Sequence, residues 1–197
     1  MRIKRETASG EVQAMARLPY LDKSDLSVEN QDLLARNINL VRALVHSPNG
    51  ARAFGALAAF IRFKSRLDPR LREMAILQVG YLTRSPYEYS HHVKLGREFG
   101  VSDDDLRAIA EETAGRPTKL EPLAKAMLRA AREMTLELAV SEATFAALRA
   151  ELDNERLVDL VMTIAVYNGV VRLLATLQID VEPDYQHYLE EFPLPNR

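Results

Sequence analysis

The stretch "LDPRLREMAILQVGYLTRSPYEYSHHVKLGREFG", residues 67–100, decides how this chain folds. Asp68 followed by Pro69 reads as an N-cap and first helical position, and the apolar run "MAILQVGYL" continues that helix to about Leu82. Ser85-Pro86 opens a second helix in the same way, and Gly100, a favoured residue just past a helix end, closes it after Phe99. On the first of these helices Glu73 shares a stripe with Ile76, Leu77 and Gly80. Such a carboxylate is desolvated unless it finds a partner, so its pKa is expected to rise. On the second, Ser85, Glu88 and His92 fall within roughly a 60° arc, Tyr89 and Gly96 share that side, and His91 points away and reads as solvated. If the helices pack as an antiparallel pair, Glu73 and His92 can meet, and a buried carboxylate bonded to an imidazole is a proton-transfer device.

A plainer reading stands beside it. Ser85-Pro86-Tyr87-Glu88 fits a capping box, with Glu88 reaching back to the helix start, and Glu73 can pair with Arg70 or Arg72.

Outward from this stretch the helical period continues, with no convincing strand alternation. One helix is expected over 27–45, with Leu33, Leu34, Ile38, Val41 and Val45 on its buried stripe. "HSPNG" reads as a turn, and a helix over 51–64 follows. Beyond 100, Ser102 caps a short acidic-fronted helix, and three more are expected near 120–137, 142–152 and 154–178. The fold class is all-α: an arm over 1–26, a helical domain over 27–180 and a proline-bearing tail over 181–197.

Composition narrows the function. Lys and Arg number 26 against 28 Asp and Glu, a net charge of −2 that favours neither nucleic acid nor an anionic membrane as partner. No cysteine occurs, which removes disulfides, thiol catalysis and thiolate metal sites. The first residues lack a signal-peptide apolar core, and no apolar run reaches the ~18 uninterrupted residues of a membrane span, so a cytoplasmic protein is expected. The helix over 154–178 is apolar on most faces, which points to a homo-oligomer. Glu88-x-x-His91 has the spacing of four-helix di-iron ligands, but no second such pair occurs, so no metal is expected.

Residues 67–110 closely resemble the core motif of the carboxymuconolactone decarboxylase family, which includes the alkylhydroperoxidase D-like proteins. "LREMAIL" with Glu73, "YEYSHHV" with Tyr87, Glu88 and His92, and "GREFGVSDDDL" carry the resemblance. It implies an alkylhydroperoxidase D-like helical bundle. Peroxidase-type members place a Cys-x-x-Cys pair where this chain has Ser85 and Glu88, so their thiol–disulfide cycle is excluded here. The likeness is to the decarboxylase branch, whose motif also lacks the pair. That implies a cofactor-independent lyase that removes CO2 from a small carboxylated lactone or related acid. In that reading His92 shuttles the proton and Glu73 orients it. Tyr87, Glu88, Ser85 and Tyr89 line the substrate pocket, and Arg172, inside the last long helix, is the carboxylate clamp unless it pairs with an acid such as Asp159. The alternative is a non-catalytic helical oligomer, a dimer, trimer or hexamer, that binds a small molecule or a partner protein.

Overall fold

The computed structural model describes residues 4–6, 12–14 and 16–196. Nine α-helices follow one another among them: α1 (Asn39–Leu44), α2 (Pro48–Phe63), α3 (Pro69–Leu82), α4 (Pro86–Glu98), α5 (Asp103–Thr113), α6 (Pro122–Leu136), α7 (Glu142–Glu151), α8 (Asn154–Leu177) and α9 (Pro183–Glu191). Part of the arm expected over 1–26 lies outside the described residues. Lys4–Glu6 pairs antiparallel with Val12–Ala14, a ribbon apart from an all-α protein. From Ala16 onward the lead-in is tied down: the Ala16 amide and the Tyr20 hydroxyl both donate to Asp180 Oδ2, at 3.1 and 3.0 Å.

α3 is the axis of the bundle. Every residue from Leu71 to Gly80 is buried, because α4, α5, α6 and α8 pack around it. Asp68 accepts from the Leu71 amide at 3.0 Å and Pro69 takes the first helical position, so the start is as the sequence dictates. Gly80 marks the closest approach to α4: a Cβ there would stand 3.3 Å from the Tyr89 backbone nitrogen. Gly80→Ala is therefore expected to destabilise by about 1–3 kcal/mol, because two packed backbones have to part. Thermal or chemical unfolding measures this, and an unchanged midpoint would show that the helices part at no cost.

Three segments differ from the sequence reading. The helix expected over 27–45 is broken: Val28–Ala35 forms 3-10 turns with a kink at Leu34, and a regular helix resumes only at Asn39. Its restart is fixed from far along the chain, since the Asn39 amide donates to Glu182 Oε1 at 2.7 Å. In "HSPNG" His46 and Ser47 make the expected turn after α1, but α2 begins at Pro48 rather than Ala51, because a proline takes its first position, as prolines do in α3, α4, α6 and α9. The segment read as a tail contains α9, which packs against α4. α8 is long and apolar enough to cross a bilayer. In the fold its Leu160, Ile164 and Val171 enter the main core, while Val158 and Val161 stay exposed.

Candidate active site

α3 and α4 bring four charged side chains together in the interior: Arg72, Glu73, Glu88 and His92, none more than 5% exposed. Arg72 Nε and Nη2 donate to Glu73 Oε1 at 3.1 and 2.9 Å. A third guanidinium nitrogen donates to the Arg62 carbonyl at 2.9 Å, and the group lies 4.6 Å from the Phe99 ring centre. His92 Nδ1 donates to the other Glu73 oxygen at 2.7 Å. On the far side of the ring, Nε2 is 2.9 Å from Glu88 Oε1, but out of line for a hydrogen bond, and that oxygen is buried without a hydrogen-bond partner among the described residues.

This geometry fixes protonation. Burial alone would drive Glu73 up, as the sequence suggests, yet the charges and hydrogen bonds of His92 and Arg72 outweigh it and hold the carboxyl below its ordinary range. For His92 burial favours the neutral ring, but the Glu88 and Glu73 charges win and raise it to about 9. The four charges sum to zero only while His92 keeps its proton.

A second cluster sits beside the first. Tyr87 accepts from the Leu40 amide at 3.0 Å and donates to Glu182 Oε1 at 3.1 Å. His91 Nε2 donates to Glu182 Oε2 at 2.8 Å, and its ring is stacked between Tyr87 and Tyr185, with centroids 4.1 and 3.7 Å away. His91 is thus buried rather than solvated, because α9 covers it. Burial lowers its pKa against the opposing pull of Glu182, and Nδ1 finds no hydrogen-bond partner among the described residues. Glu88 and His91 turn to different partners, and among the described residues no group of three or more His, Asp or Glu is arranged to hold a metal ion.

Two adjoining cavities lead to His92. An inner chamber of about 50 Å³ is lined by Tyr87, Glu88, His91, His92 and Tyr167, among others. The Tyr167 ring stands edge-on to His92, with centroids 5.0 Å apart. An outer chamber of about 480 Å³ lies between the 3-10 segment, α1 and α2. Arg36 and Arg62 line both.

Of the residues nominated from sequence, Tyr87, Glu88 and His92 line the inner chamber, and Glu73 stands behind His92. The others fall elsewhere. Ser85 is the N-cap residue, but its side chain makes no capping bond, and the expected capping box is absent because Glu88 turns inward to His92. Tyr89 belongs to the main core, packed against Tyr81 and over Gly80. Arg172 is exposed and donates to Asn168 Oδ1 at 3.0 Å, one turn back on its own helix. Asp159 instead accepts from Ser65 Oγ and the Arg66 amide. Sequence reading missed Arg36, Arg62 and Tyr167; only the apolar surroundings of Tyr167 on α8 hinted at an inward position.

Residues 48–133 match the carboxymuconolactone decarboxylase family, a span that holds Glu73, Glu88 and His92. No curated protein matches. Among solved structures, the alkylhydroperoxidase AhpD core of an uncharacterized peroxidase-related protein from Ralstonia eutropha JMP134 superposes with a TM-score of 0.75 at 20% identity, covering 91% of this chain and 98% of that one. An uncharacterized peroxidase-related protein from Silicibacter sp. TM1040 gives 0.71 at 18% identity, with 86% and 93% covered. The debrominase Bmp8 in complex with 2,3,4-tribromopyrrole gives 0.71 at 17%, with 85% and 95% covered. At these identities the likeness establishes the fold, an alkylhydroperoxidase D-like helical bundle.

Proposed function

We propose, from the premise that this chain is a cysteine-less member of the carboxymuconolactone decarboxylase family, that it is a cofactor-independent lyase acting on a small carboxylated lactone or related acid. The observation that carries the reading is the Glu73–His92–Glu88 array: one imidazole gripped at Nδ1 at 2.7 Å, with Nε2 ion-paired to Glu88 Oε1 at 2.9 Å beside the inner chamber. Because the Glu88 oxygen is paired by charge with no aligned hydrogen bond, a proton donor on a ligand can add one there.

In the proposed reaction the substrate's C–CO2 bond breaks and its electron pair passes into the conjugated carbonyl, giving an enolate. His92, charged at neutral pH, delivers a proton from Nε2 to the enolate carbon, and the ring regains a proton from solvent. Glu73 is a positioning residue: it keeps Nδ1 occupied, so the mobile proton is the one on the chamber side. Tyr87 and Glu88 shape the chamber around the reacting group. With no thiol in the chain, the disulfide-linked peroxide reduction of the family's other branch has no nucleophile here.

The test is direct. Incubation with a panel of carboxylated lactones and β-keto acids, following CO2, is expected to show release from at least one member. Silence across the whole panel would overturn the lyase reading.

A further inference from the structure

We infer that Arg36 and Arg62, at the neck shared by the two chambers, form an anion site, and that its ligand is an amphipathic monocarboxylate whose apolar body fills the outer chamber. This identifies the substrate class for the lyase reading and rests on it for the chemistry, though not for the binding.

The first support is the state of the two cations. Many arginines in this protein are answered by carboxylates, Arg42 by Asp22, Arg52 by Asp32, Arg66 by Glu155, Arg70 by Asp105 and Arg72 by Glu73, while Arg17, Arg84 and Arg129 lack such a partner but are exposed to solvent. Arg36 and Arg62 have neither an ion pair nor a side-chain hydrogen bond among the described residues. Arg62 is half-buried, where an unanswered charge is costly. Burial first, and then the like charge of Arg36, hold its pKa below the ordinary arginine value. An anion placed between the two relieves both penalties, and a carboxylate matches guanidinium geometry by accepting paired hydrogen bonds.

The second support is the lining of the outer chamber. Its wall is mostly apolar, with Leu33, Ile38, Val41, Leu44 and Phe54 among the lining side chains. Its remaining charged pair, Asp32 and Arg52, is closed on itself at 2.8 Å. A second carboxylate at the far end of a ligand would therefore meet apolar wall or Asp32, with no free cation. The wall selects against dicarboxylates.

Volume supplies the third support. About 480 Å³ falls within the range of cavities that enclose a small organic molecule. The inner chamber of about 50 Å³ has room for only a few non-hydrogen atoms. The apolar body thus belongs outside the neck and the reacting carbon inside it, next to His92.

Calorimetric titration with octanoate, octanol and octanedioate separates the terms. Octanoate is expected to bind about tenfold or more tightly than either of the others, the effect of one charge-assisted anion contact. Arg36→Gln and Arg62→Gln should each weaken octanoate by about tenfold and leave octanol unchanged, with Arg62→Lys recovering part of the loss. Arg36 is exposed, so its variant keeps the fold, which circular dichroism verifies. No octanoate binding at millimolar concentration, equal binding of octanoate and octanol, or octanoate affinity unmoved in both glutamine variants would overturn the anion site. Tighter binding of octanedioate would overturn the monocarboxylate class. Octanoate has no carbonyl placed to take up the electron pair of a departing CO2, so it reads binding alone. A protein that binds it as expected yet releases no CO2 from any panel member keeps the anion site and loses the lyase reading.

Discussion

Glu73→Ala is expected to lower the unfolding free energy by about 3–5 kcal/mol, the cost of leaving buried charges without their partner. The carboxylate answers two cations at once, Arg72 through Oε1 and His92 through Oε2, at a position 1% exposed. Denaturant unfolding near pH 7 measures the loss, and a change below about 1 kcal/mol would mean that something other than this carboxylate compensates the buried charges. The same cluster makes stability depend on pH. His92 is raised from its ordinary 6.5 to about 9, so its contribution is full below about pH 6.5 and is lost as pH climbs through about 9, on the order of 3 kcal/mol. Glu73 is held below its ordinary 4.5, so its contribution is present above that value and is lost in acid. Taken alone, this cluster is most stable between about pH 4.5 and 6.5, while His91, held below its ordinary 6.5 by burial, works against it by costing stability as pH falls below about 6.5.

His92→Asn should reduce kcat by about 10²–10⁴-fold, the usual worth of a placed general acid, with the fold retained. Because the acid must carry its proton, wild-type kcat is expected to hold level through neutral pH and to fall as pH rises through about 9. Glu73→Gln removes one of the two negative charges that keep the proton on the ring, so its alkaline limb should move to lower pH. A purely structural Glu73 would lower stability without moving that limb. Equal turnover by wild type and His92→Asn would remove His92 from the chemistry.

The parts of this architecture that lie in local signals are readable from sequence. Asp68-Pro69 and Ser102 begin α3 and α5 as their residue types require, with Ser102 closing a full capping box with Asp105. The antiparallel packing of α3 on α4 brings Glu73 to His92, a meeting that helical spacing alone makes possible. Other features depend on distant chain. The pattern Ser85-Pro-Tyr-Glu88 fits a capping box, but the buried imidazole one turn on is the stronger claimant for Glu88. Arg172 sits in an apolar helix and so resembles a buried clamp, yet it lies on the face of α8 turned away from the bundle. Arg36 follows a kink in 3-10 turns, where no period predicts direction, and Arg62 lies near the end of a different helix. Nothing in their spacing says that both reach one neck. His91 looks exposed on α4 taken alone, and it is buried by Glu182 and Tyr185 from far along the chain together with the Tyr87 ring.

Glu182 holds the Tyr87 hydroxyl, His91 and the amide that restarts α1, and Tyr185 completes the stack on His91. During synthesis the chain emerges from its N-terminus and begins to fold as it does so. Arg72, Glu73, Glu88 and His92 are all made by position 92, but the contacts that cover Tyr87 and His91 cannot form until residues 182–185 have followed. The buried charges of α3 and α4 are therefore made about 90 residues before the segment that covers them.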